Sequence, residues 1–266
     1  MGFYQDSVDS LRNIFNRLSL IMDGEAAIHI KDMEVLQICL RIWDENKDGY
    51  ITEKEASVQR NISFSTFSQN TKITTFDEFK YFNFYSSAKS LFYGCTSLKS
   101  IELPETEIVR YQHFYECTSL ERCIIGSGCP TIEKQAFINC GALKRISIPD
   151  TVTSIGDGAF YGTGLSSFVY PDGVSYIKGL STMPNLTYVE IGEYVTNVAE
   201  IRACPSMETL IIRTDTPPAT EYSTLRDSRI PNIYVPDTSV DAYKISIDWN
   251  KWATKIYPLS TYKEDY

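Results

Sequence analysis

Apolar residues return along this chain at a nearly constant interval. The pattern Leu-x-x-Ile-x-Leu recurs as Leu98/Ile101/Leu103, Leu120/Cys123/Ile125, Leu143/Ile146/Ile148, Leu165/Phe168/Tyr170, Leu186/Val189/Ile191, Met207/Leu210/Ile212 and Ile230/Ile233/Val235. The spacing of about 21 to 23 residues is that of a structural repeat, and apolar alternation within each unit predicts one short strand per repeat. An earlier unit, Ile73/Phe76/Glu78, keeps the spacing but ends in a charge, so it is read as a degenerate opening rung. Between strands a second column recurs: Phe92, Phe114, Phe137 and Phe160 are followed three residues later by Cys95, Cys117, Cys140 and Thr163. A single unit buries too little apolar surface to offset its ordering entropy, whereas stacked units place like residues over like and share one core. The expected fold is a repeat solenoid with parallel strands, the Phe/Cys column forming its interior spine.

The pattern also divides the chain. Rungs after Phe160 drift, with Leu180 and Ile201 at the spine position and Gly162 and Met183 near the cysteine position. Residues 67–236 are assigned to the solenoid and 237–266 to a cap, in which Thr238 and Asp241 suggest a capping box and Trp249 and Trp252 can cover the last rung. Residues 1–30 carry Leu11, Ile14, Phe15, Leu18 and Ile21 at helical spacing, an amphipathic helix suited to docking on the solenoid or to joining a larger assembly.

Residues 31–66 read as helix, loop, helix. Val35, Leu36, Cys39, Leu40 and Trp43 lie at helical spacing, and the segment from Asp44 to Glu55 fills every position of the Asp-x-Asn-x-Asp-Gly-x5-Glu pattern of a calcium loop. Asp44, Asn46 and Asp48 offer side-chain oxygens, Tyr50 a backbone carbonyl, Thr52 a contact through water and Glu55 two oxygens, while Gly49 permits the sharp turn. The competing reading is a polar turn matching by chance. One loop, where calcium sensors pair two, points to a structural Ca2+ ion instead of a switch.

Segments such as Phe92-Tyr-Gly-Cys-Thr-Ser-Leu-Lys-Ser-Ile-Glu-Leu-Pro104 and the run from Leu143 to Phe160 resemble the BspA-like, bacterial surface-antigen type of leucine-rich repeat. Ile38-Cys39 and Trp43-Asp44 also match a loop that commonly precedes these repeats, of the EF-hand or dockerin kind. In place of the Asn of the better-known leucine-rich pattern, Pro104 and Pro149 follow the strands, so irregular or short-strand returns are expected. The resemblance implies an extracellular or cell-surface adhesion module that binds a protein or glycan. The alternative is a structural or receptor-binding part of a bacteriophage virion or cell-envelope assembly, suggested by the N-terminal helix and the absence of a visible export signal.

Composition narrows this picture. With 43% hydrophobic residues the chain can fold without disulfides, and a net charge of -9 argues against a nucleic-acid partner. No stretch approaches the roughly 20 apolar residues needed to cross a bilayer, so direct membrane insertion is not expected. Cys95, Cys117, Cys140 and Cys204 follow the repeat, as buried free thiols would. His29 and His113 are the two histidines and neither sits in a metal or nucleophile motif; Gly156-x-Gly158 belongs to the repeat. No enzyme is expected. Residues between the buried strand positions must face outward. This places Arg122, Ile124, Arg145, Val169, Tyr188, Ile211 and Tyr234 on one surface as the candidate partner-binding set, against the plainer reading of scattered exposed apolar residues.

Overall fold

The computed structural model describes residues 26–58, 60–85 and 89–263. The front of the solenoid is a parallel ladder. Strands β1 (Thr75–Phe76), β2 (Ser100–Glu102) and β3 (Arg122–Ile124) form one block. A second block contains β4 (Ser167–Val169), β5 (Tyr188–Ile191), β6 (Thr209–Ile212), β7 (Asn232–Val235) and β8 (Ile256–Pro258). The register follows the repeat, with Phe168, Val189, Leu210, Ile233 and Ile256 side by side and all buried. Period-two alternation allows no other register without turning the apolar set toward water. The returns are two-residue strands, such as Thr131–Ile132 on Ser154–Ile155 and Tyr176–Ile177 on Asn197–Val198, in keeping with the proline-led pattern.

The interior column forms as the spacing predicts. The Phe92, Phe114, Phe137 and Phe160 rings stack with successive centroids 5.5, 5.2 and 5.3 Å apart, and Phe67, which the repeat alignment did not include, extends the stack at 5.2 Å from Phe92. The cysteines have a defined task here. Cys95, Cys117 and Cys140 thiols donate to the carbonyls of Phe67, Phe92 and Phe114 at 3.1, 3.0 and 3.1 Å, one rung back each time. All seven cysteines are free and buried, and a small apolar group with a weak donor suits a site that offers one carbonyl and no room.

One expected strand is absent. Residues 143–148 form none, Ile146 and Ile148 are half-buried, and the front sheet is interrupted between β3 and β4. The return side breaks at the same level, since Ser154–Ile155 and Tyr176–Ile177 do not pair. The spacing changes at the corner that follows. Phe160 precedes Leu165 by five residues, where Phe92–Leu98, Phe114–Leu120 and Phe137–Leu143 are six apart. At this corner a Cβ at Gly164 would stand 2.3 Å from the Gly141 carbonyl oxygen, an approach as close as those at Gly126 and Gly156. Thr163 donates to Phe160 of its own rung at 3.0 Å, so the ladder to the preceding rung ends there. The blocks remain joined by the Phe stack, by corner bonds such as Asn139 N–H to Tyr161 O at 2.9 Å, and by the Glu200 carboxylate, which accepts from Gly158 and Gly179 N–H at 3.1 and 3.2 Å.

The C-terminal end differs in detail from expectation. Helix Val240–Ile245 follows a 3-10 turn at Asp237–Ser239 and has no side-chain cap bond, so the Thr238/Asp241 capping box does not form. Trp249 and Trp252 are buried, and β8 pairs with β7 as a further strand that the repeat did not reveal. Leu11 to Ile21, assigned to an amphipathic helix, lie outside the described residues. No described helix is long and apolar enough to cross a membrane.

Candidate functional site

Two regions concern function: the loop at 44–55 and the front face. The loop sits between α1 (Met33–Ile42) and α2 (Glu53–Ser57). Helix α1 begins at Asp32, whose carboxylate accepts from Glu34 and Val35 N–H. The same carboxylate takes Thr74 N–H and Oγ1–H at 2.7 Å each, clamping the loop module to the first rung. Burial pushes this carboxyl up, but the bonds from Thr74, Val35 and Thr75 outweigh it and hold it below its ordinary value. Trp43, at the other end of α1, packs edge-on against Phe82 at 4.9 Å.

The loop folds through left-handed Lys47 (φ 59°) and Gly49 (φ 87°), the second being the position the motif reserves for glycine. Asp44 Oδ2 accepts from Gly49 N–H at 3.1 Å, Asn46 Oδ1 from Asp48 N–H at 3.0 Å and Asp48 Oδ1 from Tyr50 N–H at 2.9 Å. Glu55 closes a capping box with Thr52, accepting its N–H and hydroxyl at 3.0 Å, and takes Glu45 N–H at 3.1 Å on its other oxygen. Asp44 Oδ1 is buried with no hydrogen-bond partner among the described residues. An orphaned buried carboxylate oxygen in an oxygen-rich loop suits a hard cation. The full ligand set is not drawn together: among the described residues no group of three or more His, Cys, Asp and Glu side chains is placed to hold a metal. Glu55 stays on Thr52. Residues before the helix also touch the loop module: Ala27 bridges Thr52 and Ile28 N–H donates to Ile51 O at 2.7 Å. This short antiparallel contact braces the single loop.

On the front face, Ile124 and Val169 are 43% and 54% exposed and Arg145 is exposed, as strand alternation requires. Between β3 and residues 145–149 lies a groove of 550 Å³ lined by Ile124, Ile125, Ile146 and Pro149, with Arg122 and Arg145 at its sides. It coincides with the missing strand. Arg122 is already engaged, 2.8 Å from Asp77 and 3.1 Å from Glu102. Ile211 is a correction: it is 1% exposed and cannot greet a partner. Tyr262 packs on Tyr188 and on Tyr234, with centroids 6.3 and 5.1 Å away. These residues stand on β5 and β7, so the Tyr262 ring lies over β6 and Ile211, and Tyr188 and Tyr234 are half-buried. Strand alternation gave Ile211 its outward direction correctly; it could not register a closing segment folded across the strand.

Burial raises the Cys117 thiol well above its usual value, with further push from Cys140 and Cys95, so no nucleophilic thiolate is available. His113 is wholly buried and shares no helical face with Cys117, since both lie in the turn region of their rung.

Residues 60–185 match the BspA type leucine rich repeat region in six copies. Over these residues the solenoid is built of leucine-rich repeats. Solved leucine-rich-repeat structures are similar in fold. One from T. pallidum is 24% identical, with 66% of this chain and 76% of that chain covered and a TM-score of 0.44. One from Bacteroides ovatus is 22% identical, with 60% and 45% covered and a TM-score of 0.39. A leucine rich cell surface protein from Faecalibacterium prausnitzii is 16% identical, with 70% and 65% covered and a TM-score of 0.36. The chain spans less than half the length of the Bacteroides protein. No curated protein matches it.

Proposed function

We propose that this leucine-rich-repeat protein is a non-catalytic binding module of a bacterial surface or secreted protein, taking a protein or glycan ligand on its front face. The observation that carries the reading is the groove beside the interrupted strand, where exposed Ile124 and Arg145 flank an apolar floor. Apolar side chains beside an arginine with open access have the character of protein-binding surfaces. The covered half of the face, at Tyr188, Ile211 and Tyr234, takes a smaller share. In the loop, Asp44, Asn46, Asp48, the Tyr50 carbonyl and Glu55 would hold Ca2+, with Thr52 acting through water, once Glu55 leaves its capping bond. The ion would supply the charge that fixes the loop against the first rung.

The test is a panel of immobilised matrix proteins and glycans probed with the wild-type chain and with Ile124→Asp/Arg145→Glu. The double variant is expected to lose about tenfold or more in apparent affinity for whichever probe binds, with unchanged thermal stability, because both side chains are exposed. Undiminished binding overturns this placement of the site.

A further inference from the structure

A second pocket, of 400 Å³, opens where the loop module meets the first two rungs. Its walls come from the 3-10 turn after β1, from Glu102 of β2 and Arg122 of β3, from the 27–31 segment and from Glu53 at the start of α2. Asp77, Glu78 and Glu102 line one side and Glu53 the other. Cations already answer part of this charge: Lys80 is 2.5 Å from Glu102, and Arg122 bridges Glu102 and Asp77 Oδ2. His29 and Lys31 stand exposed at the rim. What remains unanswered is specific. Glu78 is 7% exposed and its Oε2 has no hydrogen-bond partner among the described residues; Asp77 Oδ1 is likewise buried and without one. A buried carboxylate oxygen without a donor costs more than a paired one gains, because its desolvation goes uncompensated. Two on adjacent residues, lining one opening, mark a place that a donor completes.

We propose that this pocket receives the ammonium group of a lysine on a partner protein. A metal ion is the poorer occupant, since no three carboxylates converge on one point and the space is many times that of an ion. An ammonium brings three donors on a flexible stem, which suits two oxygens on separate side chains. Arg122 lines both this pocket and the groove at Ile124, so a chain lying in the groove can reach the pocket with a side chain. The net charge of -9 steers a basic partner toward the molecule. The partner's class rests on the binding role proposed above; the pocket's own selectivity does not, and can be measured without a partner.

The probe is Nα-acetyl-lysine amide, with its Nε-acetylated twin as the neutral control. Binding is followed through the NMR signal of the Ile28 methyl group, which lines the pocket, at a constant calcium level. The lysine amide is expected to shift this signal saturably and the acetylated twin not at all. Glu78→Gln is expected to weaken the amine by about tenfold or more. Equal shifts from both probes, no shift from either, or undiminished affinity in folded Glu78→Gln overturns the proposal. So does displacement of the amine by added manganese, which would assign the pocket to a metal. Should Glu78→Gln fail to fold, carbodiimide coupling of the amine to the wild-type protein decides: amide formation concentrated at Asp77 and Glu78 supports the pocket, and spread over exposed carboxylates refutes it. An occupied pocket with no ligand on the panel would leave this inference standing and the adhesion reading refuted.

Discussion

Replacing His113 by leucine is expected to remove a large part of the protein's sensitivity to acid. His113 lies in the interior column Leu91, His113, Ala136, Ala159, and its ring packs beside the Phe stack, 5.7 Å from Phe92 and 5.0 Å from Phe114. Its Nδ1 accepts from Arg110 N–H at 3.2 Å, so the proton sits on Nε2, which is buried without a partner among the described residues. Burial, helped by the charge of Arg110, lowers its pKa from 6.5 to about 3. The folded value lies below the unfolded one, so the unfolded chain binds the proton first. Stability is therefore full above the unfolded value and is lost as pH falls from 6.5 toward 3. At 1.36 kcal/mol per unit, the loss is about 2 kcal/mol by about pH 5 and roughly 5 kcal/mol by about pH 3. Glu107 opposes this. Burial lifts its carboxyl to about 7 against the pull of Arg110, 3.4 Å away, so its contribution is present below 4.5 and lost as pH rises through 7. Comparing wild type with His113→Leu cancels that second effect. Leucine is the residue at the equivalent place one rung earlier, so the column should accept it. Urea unfolding at about pH 7.5 and pH 5 should show wild type losing about 2 kcal/mol more than the variant. Parallel losses in the two proteins would refute the argument.

Two further outcomes follow from the same geometry. Gly164→Ala should destabilise by about 1 to 3 kcal/mol, because its Cβ meets the Gly141 carbonyl; Gly141→Ala, with open space at that position, should be nearly neutral in the same thermal melts. Equal melting temperatures for the two variants would show that the corner is not tight. Calorimetric titration should detect calcium binding that Asp44→Ala abolishes, and calcium at about 100 times its dissociation constant should add roughly 2.7 kcal/mol to stability. Absence of both heat and stabilisation would make the loop a polar turn.

The chain's own order of residues settled the solenoid, the strand positions, the Phe stack and the thiol column, because a repeat writes each contact many times and neighbours in space lie one period apart. It also offered the candidate oxygen donors of the proposed calcium loop, since those lie within twelve successive residues. Other features depend on segments that meet only once. The lost strand at 143–148 stands next to a one-residue shortening near Gly164, and the apolar pattern of the segment itself gives no sign of the loss. Ile211 is buried on a face where Tyr262, about fifty residues on and outside the repeat, packs on the neighbouring Tyr188 and Tyr234. The orphaned oxygens of Asp77 and Glu78 become a pocket only when residues 27–31 and Glu53 close over them. Periodicity fixes which way a side chain points; what stands opposite it is decided by non-repeating chain, and that is a property of the tertiary structure.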